Sequence, residues 1–202
     1  MIFIKRLTGA GTLSAALMLG TIVSPAQAGY VVTLTEQGGD VVANGSGPID
    51  LTGLAFVGDL VGVSSLVQPS SATIATGPPI DGATANTYLT VTGPSSFGFG
   101  DVALADIGSG DFVGIGSGQL LVVPEGYASG GPLSDTSTYI GQTFATLGVT
   151  PGTYVWTWGE GPNQNFTLII GPTAVPEPAS AALLGMALTG LLLAGAIRRR
   201  RQ

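Results

Sequence analysis

Carboxylates are the only side chains between residues 7 and 197 that could carry a charge near neutral pH or hold a cation through it. Eleven lie between Gly29 and Ala174: Glu36, Asp40, Asp50, Asp59, Asp81, Asp101, Asp106, Asp111, Glu125, Asp135 and Glu160. The same stretch has no His, Cys, Lys or Arg. A Ser-His-Asp or Cys-His nucleophile, a histidine-based zinc centre and a phosphate loop with its lysine are therefore excluded. A pair of carboxyl groups flanking a glycosidic bond could still run acid–base hydrolysis. No spacing singles out such a pair, so no catalytic residue and no cofactor is assigned. Asp101, Asp106 and Asp111 recur at intervals of five, which fits neither the EF-hand loop nor the calcium-binding nonapeptide. A calcium site made of carboxylates and loop carbonyls stays as an alternative, with no metal ligand named.

The second group with binding chemistry is aromatic. Thr153–Trp158 alternates in a strand pattern that puts Tyr154, Trp156 and Trp158 on one face. Exposed, these rings would form a flat platform for stacking sugar rings. Inward-facing, they would supply a large apolar contribution to a core, the reading favoured here.

The elements that must position these groups read as strands. Short runs of β-branched, aliphatic and aromatic residues alternate with Gly, Pro, Ser and Asp clusters. Expected strands are 30–35, 49–57, 61–67, 72–75, 87–92, 96–99, 118–123, 138–144, 153–158 and 166–170. No segment of 29–174 keeps a 3.6-residue apolar period, so helix is expected only at the two ends of the chain. The last two strands form a hairpin across Gly159–Asn165, with Phe166, Leu168 and Ile170 on one face of the return strand. Ile107-Gly108-Ser109-Gly110 recurs as Ile115-Gly116-Ser117-Gly118. Two copies are too few for a solenoid, so the motif is read as two similar turns. The fold expected is all-β, a sandwich or barrel-like domain, with a signal peptide before it and a transmembrane helix after it.

Charge sets limits on partners. Eleven acids without one base repel nucleic acid and anionic lipid headgroups and form no Lys or Arg salt bridge. Neutral sugars, cations and basic proteins remain.

All six basic residues sit at the ends. Lys5 and Arg6 precede an apolar stretch to Val23, and Ala26-Gln27-Ala28 follows with small residues at Ala26 and Ala28. This is the layout of a signal peptide spanning 1–28, cleaved by signal peptidase before Gly29. Residues 29–174 are then an exported acidic β domain. From 175 to 202 come Pro176-Glu177-Pro178, an uncharged run from Ala179 to Ile197, and Arg198, Arg199, Arg200 and Arg201. As a helix, that run would span roughly 28 Å, close to a bilayer core. The arginines orient it with their own end in the cytoplasm and the β domain outside. The proline pair keeps the preceding peptide extended and open to a processing enzyme.

Proline pair, helix and arginine run, in this order behind a signal peptide, resemble the PEP-CTERM sorting signal. The resemblance covers about the last 28 residues, and the stretch 147–171 looks like a module that often precedes that signal. It implies recognition by exosortase, transient anchoring in the inner membrane, and delivery to the cell surface or extracellular polysaccharide. The function expected is that of a non-enzymatic surface or matrix protein, structural and associated with polysaccharide. The alternatives are a carbohydrate- or calcium-binding module and, further off, a carboxylate-based glycosidase.

Overall fold

The computed structural model describes residues 29–62, 64–79, 84–116 and 119–171. The expected signal peptide with Ala26 and Ala28, the Pro176-Glu177-Pro178 motif, the 179–197 helix and Arg198–Arg201 all lie outside these residues. Among the described residues, no helix is long and apolar enough to cross a membrane.

Among the described residues, thirteen strands form two sheets. In chain order they are β1 Tyr30–Gln37, β2 Asp40–Pro48, β3 Ala55–Val61, β4 Leu66–Gln68, β5 Thr73–Thr76, β6 Thr84–Leu89 and β7 Ala103–Leu104. There follow β8 Ile107–Gly110, β9 Val113–Gly116, β10 Leu120–Pro124, β11 Pro132–Tyr139, β12 Gly152–Thr157 and β13 Asn165–Ile170. The first sheet runs β12-β13-β1-β2-β11-β8 and the second β3-β6-β10-β9-β5-β4-β7. Every pairing is antiparallel except β1 with β13, which match Tyr30 to Phe166 and Leu34 to Ile170.

Alternation explains how the sheets meet. Val32 and Leu34 on β1, Val41 and Ala43 on β2, and Phe166 and Leu168 on β13 point to one face and are fully buried. They meet Val67, Ile74, Ile115, Leu121 and Val123 from the second sheet in a single core. The protein is all-β, as its turn-rich, period-two sequence indicated.

Several local expectations are corrected. β2 was not among the expected strands, because Asn44-Gly45-Ser46-Gly47 reads as a turn; tertiary pairing on both sides holds it extended. The run 49–57 is not one strand. Asp50 folds back to accept the Thr52 N–H at 2.9 Å, and β3 starts only at Ala55. Residues 96–99 make one isolated bridge instead of a strand. Ile107-Gly108-Ser109-Gly110 is strand β8, not a turn, and Ile115-Gly116 closes β9 in the other sheet; Ser117 and Gly118 lie outside the described residues. Helix is not confined to the ends, since Phe144–Leu147 forms a one-turn helix, α1. Thr143 caps it reciprocally with Thr146, and Gly148 ends it in a left-handed conformation.

Candidate functional site

The β12–β13 hairpin pairs Trp156 with Phe166 and Tyr154 with Leu168, and so brings Tyr154, Trp156 and Trp158 to one side. That side faces the core. Trp156 is 2 % exposed and Trp158 8 %, with Tyr154 half-buried. The Trp156 indole stands edge-on to Phe166 at 5.7 Å and to Phe97 at 6.5 Å, both favoured aromatic geometries. Gly93 presses on it so closely that a Cβ there would lie 2.3 Å from the indole Cδ1. Trp158 donates its Nε1–H to the Asp50 carbonyl at 2.7 Å. A sugar platform on these residues is thereby corrected. Stacking needs an open ring face, and these indoles spend theirs on the core.

The carboxylates disperse. Without a cationic side chain among the described residues, they accept hydrogen bonds from nearby amides instead. Glu36 takes the Phe144 N–H at 2.6 Å, and Asp40 the Gly141 N–H at 2.8 Å. Asp106 takes the Ile140 N–H and Asp111 the Ser134 N–H, both at 2.8 Å. Asp59 accepts from the Asn86 amide at 2.8 Å. The Thr52 amide also holds the exposed Asp50 carboxyl below its usual range. Asp101, Asp106 and Asp111 do not converge, and among the described residues no three Asp or Glu side chains gather as a metal site.

One carboxyl stands apart. Asp135 on β11 is 6 % exposed and accepts the phenolic proton of Tyr30 on β1. Among the described residues, no donor meets its second oxygen, Oδ1, in hydrogen-bonding geometry. Burial pushes its pKa up to about 6, while the Tyr30 hydrogen bond and, nearby, the Thr76 hydroxyl oppose the rise. The Tyr30 phenol is driven far above its ordinary range by burial first and by the Asp135 charge second. A Cβ at residue 45 would fall 2.1 Å from Tyr30 Oη and 2.5 Å from Asp135 Oδ1, so only glycine fits between the pair and β2. A raised carboxyl is a frequent mark of a general acid. Here it opens on neither of the two cavities described below, and its nearest charged neighbour, Asp111, is committed to the Ser134 amide. The arrangement specifies a buried polar cross-link between β1 and β11. Their 105-residue separation left no spacing signal for it in the sequence.

Two concavities stand out among the described residues. A groove of about 320 Å³ crosses the outer face of the second sheet. Its floor includes Gly114 and Gly116, and its walls include Leu60, Phe112, Leu120 and Val122. Its described lining is mostly apolar, with the hydroxyl residues Ser64 and Thr73 and no charged residue. A smaller hollow of about 230 Å³ lies over the edge of Trp156, between Gly93, Pro94 and Gln119. Sequence reasoning assigned a role to neither.

No family model, curated protein or solved structure matches this chain. Its chemistry is therefore read from its own residues. They build an acidic body of two packed sheets.

Proposed function

We propose that this chain is an exported, non-enzymatic β-sandwich cargo sorted by exosortase to the cell surface or extracellular matrix. One observation carries the reading: a stretch with signal-peptide layout and the series Pro176-Glu177-Pro178, uncharged run 179–197, Arg198–Arg201 enclose a body that has no basic residue. The positions at which that body opens and closes support it. β1 begins beside Gly29, the first residue after Ala26-Gln27-Ala28, and Gly29 donates its N–H to Asn163 Oδ1 at 3.0 Å. β13 ends at Ile170, a few residues ahead of the sorting signal. In sequence, both proposed processing sites fall before the first strand and after the last, where cleavage would leave the strands whole.

The body suits passive display. Among the described residues, its carboxylates are solvated or tied to amides apart from buried Asp135, which serves a strand-to-strand link, and its tryptophans are spent on packing. Association with extracellular polysaccharide would then occur through neutral surface and solvated charge, not through an aromatic cleft. Loss of the exosortase should leave full-length protein in the inner membrane. Normal delivery without that enzyme would contradict the proposal.

A further inference from the structure

One end of the sandwich collects exposed apolar side chains. Phe99 is 94 % exposed, and Val102, Leu104, Ile107 and Ile140 are each at least half exposed. Hydrogen bonds tie their segments to that end. Phe99 donates its N–H to the Gly148 carbonyl at 2.9 Å, behind α1, and Phe144 on α1 donates to Glu36 near the tip of β1. Ile140 donates to Asp106, beside Ile107, and Gly141 to Asp40 at the start of β2. Val102 and Leu104 flank and form β7, the edge strand at the opposite side of its sheet from β3.

The chain leaves for its sorting signal at this same end. β1 and β13 are parallel, so both finish here, and Gly171 donates its N–H to the Leu34 carbonyl at 3.0 Å. Seven residues, 172–178, separate Gly171 from Ala179 and reach at most about 25 Å when extended. A second exposed apolar group, Phe56, Val57 and Val61 on β3, lies at the other lateral edge of that sheet, but the chain leaves beside the first, which the short connection keeps within about 25 Å of any bilayer span formed by 179–197. We propose that the Phe99–Leu104 segment with Ile107 and Ile140 is a membrane-resting surface, which seats on a zwitterionic lipid face while the chain is anchored. The inference rests on the anchor reading above.

The chemistry favours weak, neutral-lipid contact. A largely exposed Phe and four aliphatic groups gain by entering the interfacial layer. Glu36, Asp40, Asp101 and Asp106 stand around them and oppose an anionic surface. A short tether keeps the local lipid concentration high, so weak contact suffices before cleavage and lapses after it. The surface would hold the domain upright, with Pro176-Glu177-Pro178 kept at the membrane.

The chain has no cysteine, so a single introduced one labels cleanly. Full-length Asp101→Cys, which leaves the apolar groups in place, and Glu125→Cys, in the exposed loop that enters β11 at the opposite end from Ile140, would each carry an environment-sensitive fluorophore. Both would be reconstituted in phosphatidylcholine vesicles containing a nitroxide-labelled lipid. The label at 101 should be blue-shifted and strongly quenched, and that at 125 water-like and little quenched. Adding Phe99→Ser, Val102→Ser and Leu104→Ser to the Asp101→Cys chain should lower its quenching to the level seen at 125. Equal quenching at the two positions in vesicle-bound protein would overturn the proposal. So would protection at 101 that appears only when a membrane enzyme is co-reconstituted, which would indicate a protein partner. Failure of the chain to float with the vesicles would instead refute the anchor reading, and this inference with it.

Discussion

Replacing Trp156 with alanine tests the packing argument most severely. The indole is 2 % exposed, lies edge-on to Phe97 and Phe166, and is backed by Gly93 without room for a Cβ. Burying roughly 200 Å² of aromatic surface at about 25 cal/mol/Å² contributes about 5 kcal/mol, part of which an alanine keeps. The edge-to-face contacts and the cavity left behind act in the other direction, and core aromatic truncations cost about 3–5 kcal/mol. With a urea slope of about 2 kcal/mol/M for a domain of this size, the midpoint should fall by roughly 1.5–2.5 M. Urea titration of the 29–171 body measures it. The wild-type emission should be blue-shifted and resist acrylamide, and Trp156→Phe should lose much less stability than Trp156→Ala. A midpoint shift under about 0.5 M at unchanged slope, with red and easily quenched emission, would refute the buried-indole reasoning.

Asp135 should make stability fall as pH rises. Its folded pKa of about 6, against an ordinary 3.8, stabilises the protonated fold below pH 4. That contribution of about 3 kcal/mol is lost between about pH 4 and 6 and stays lost above. Asp135→Asn should remove this part of the slope, and identical slopes in the two proteins would show that Asp135 does not titrate inside the fold. Gly93→Val should cost about 1–3 kcal/mol by overpacking and red-shift the tryptophan emission; a neutral outcome would mean that Trp156 has room to move. The processed chain should carry one reactive amine, at Gly29, because residues 7–197 contain no lysine. Amine labelling followed by peptide mapping should therefore find Gly29 alone, and modified Lys5 would show that the signal segment persists.

The parts of the fold legible in the sequence are those with local alternation. Tyr154/Trp156/Trp158 against Phe166/Leu168/Ile170 defines the last hairpin, and the structure pairs it within a residue of the expected bounds. β2 was hidden because Asn44, Gly45, Ser46 and Gly47 have poor strand propensity. Gly45 is required by Tyr30 and Asp135, which come from two other strands. β8 and β9 were hidden for a related reason. Their glycines sit where neighbouring strands approach closely, as at Gly108, where a Cβ would fall 2.0 Å from the Gly77 carbonyl oxygen. The Tyr30–Asp135 link and the apolar end depend on contacts between residues far apart in the chain, for which no short-range pattern exists.

The mass of the intact protein recovered from the cell surface tests the central claim most directly. The account predicts a chain that begins at Gly29 and has lost Arg198–Arg201 through cleavage near Pro176-Glu177-Pro178. A surface protein that starts at Met1, or that still carries those four arginines, would contradict it.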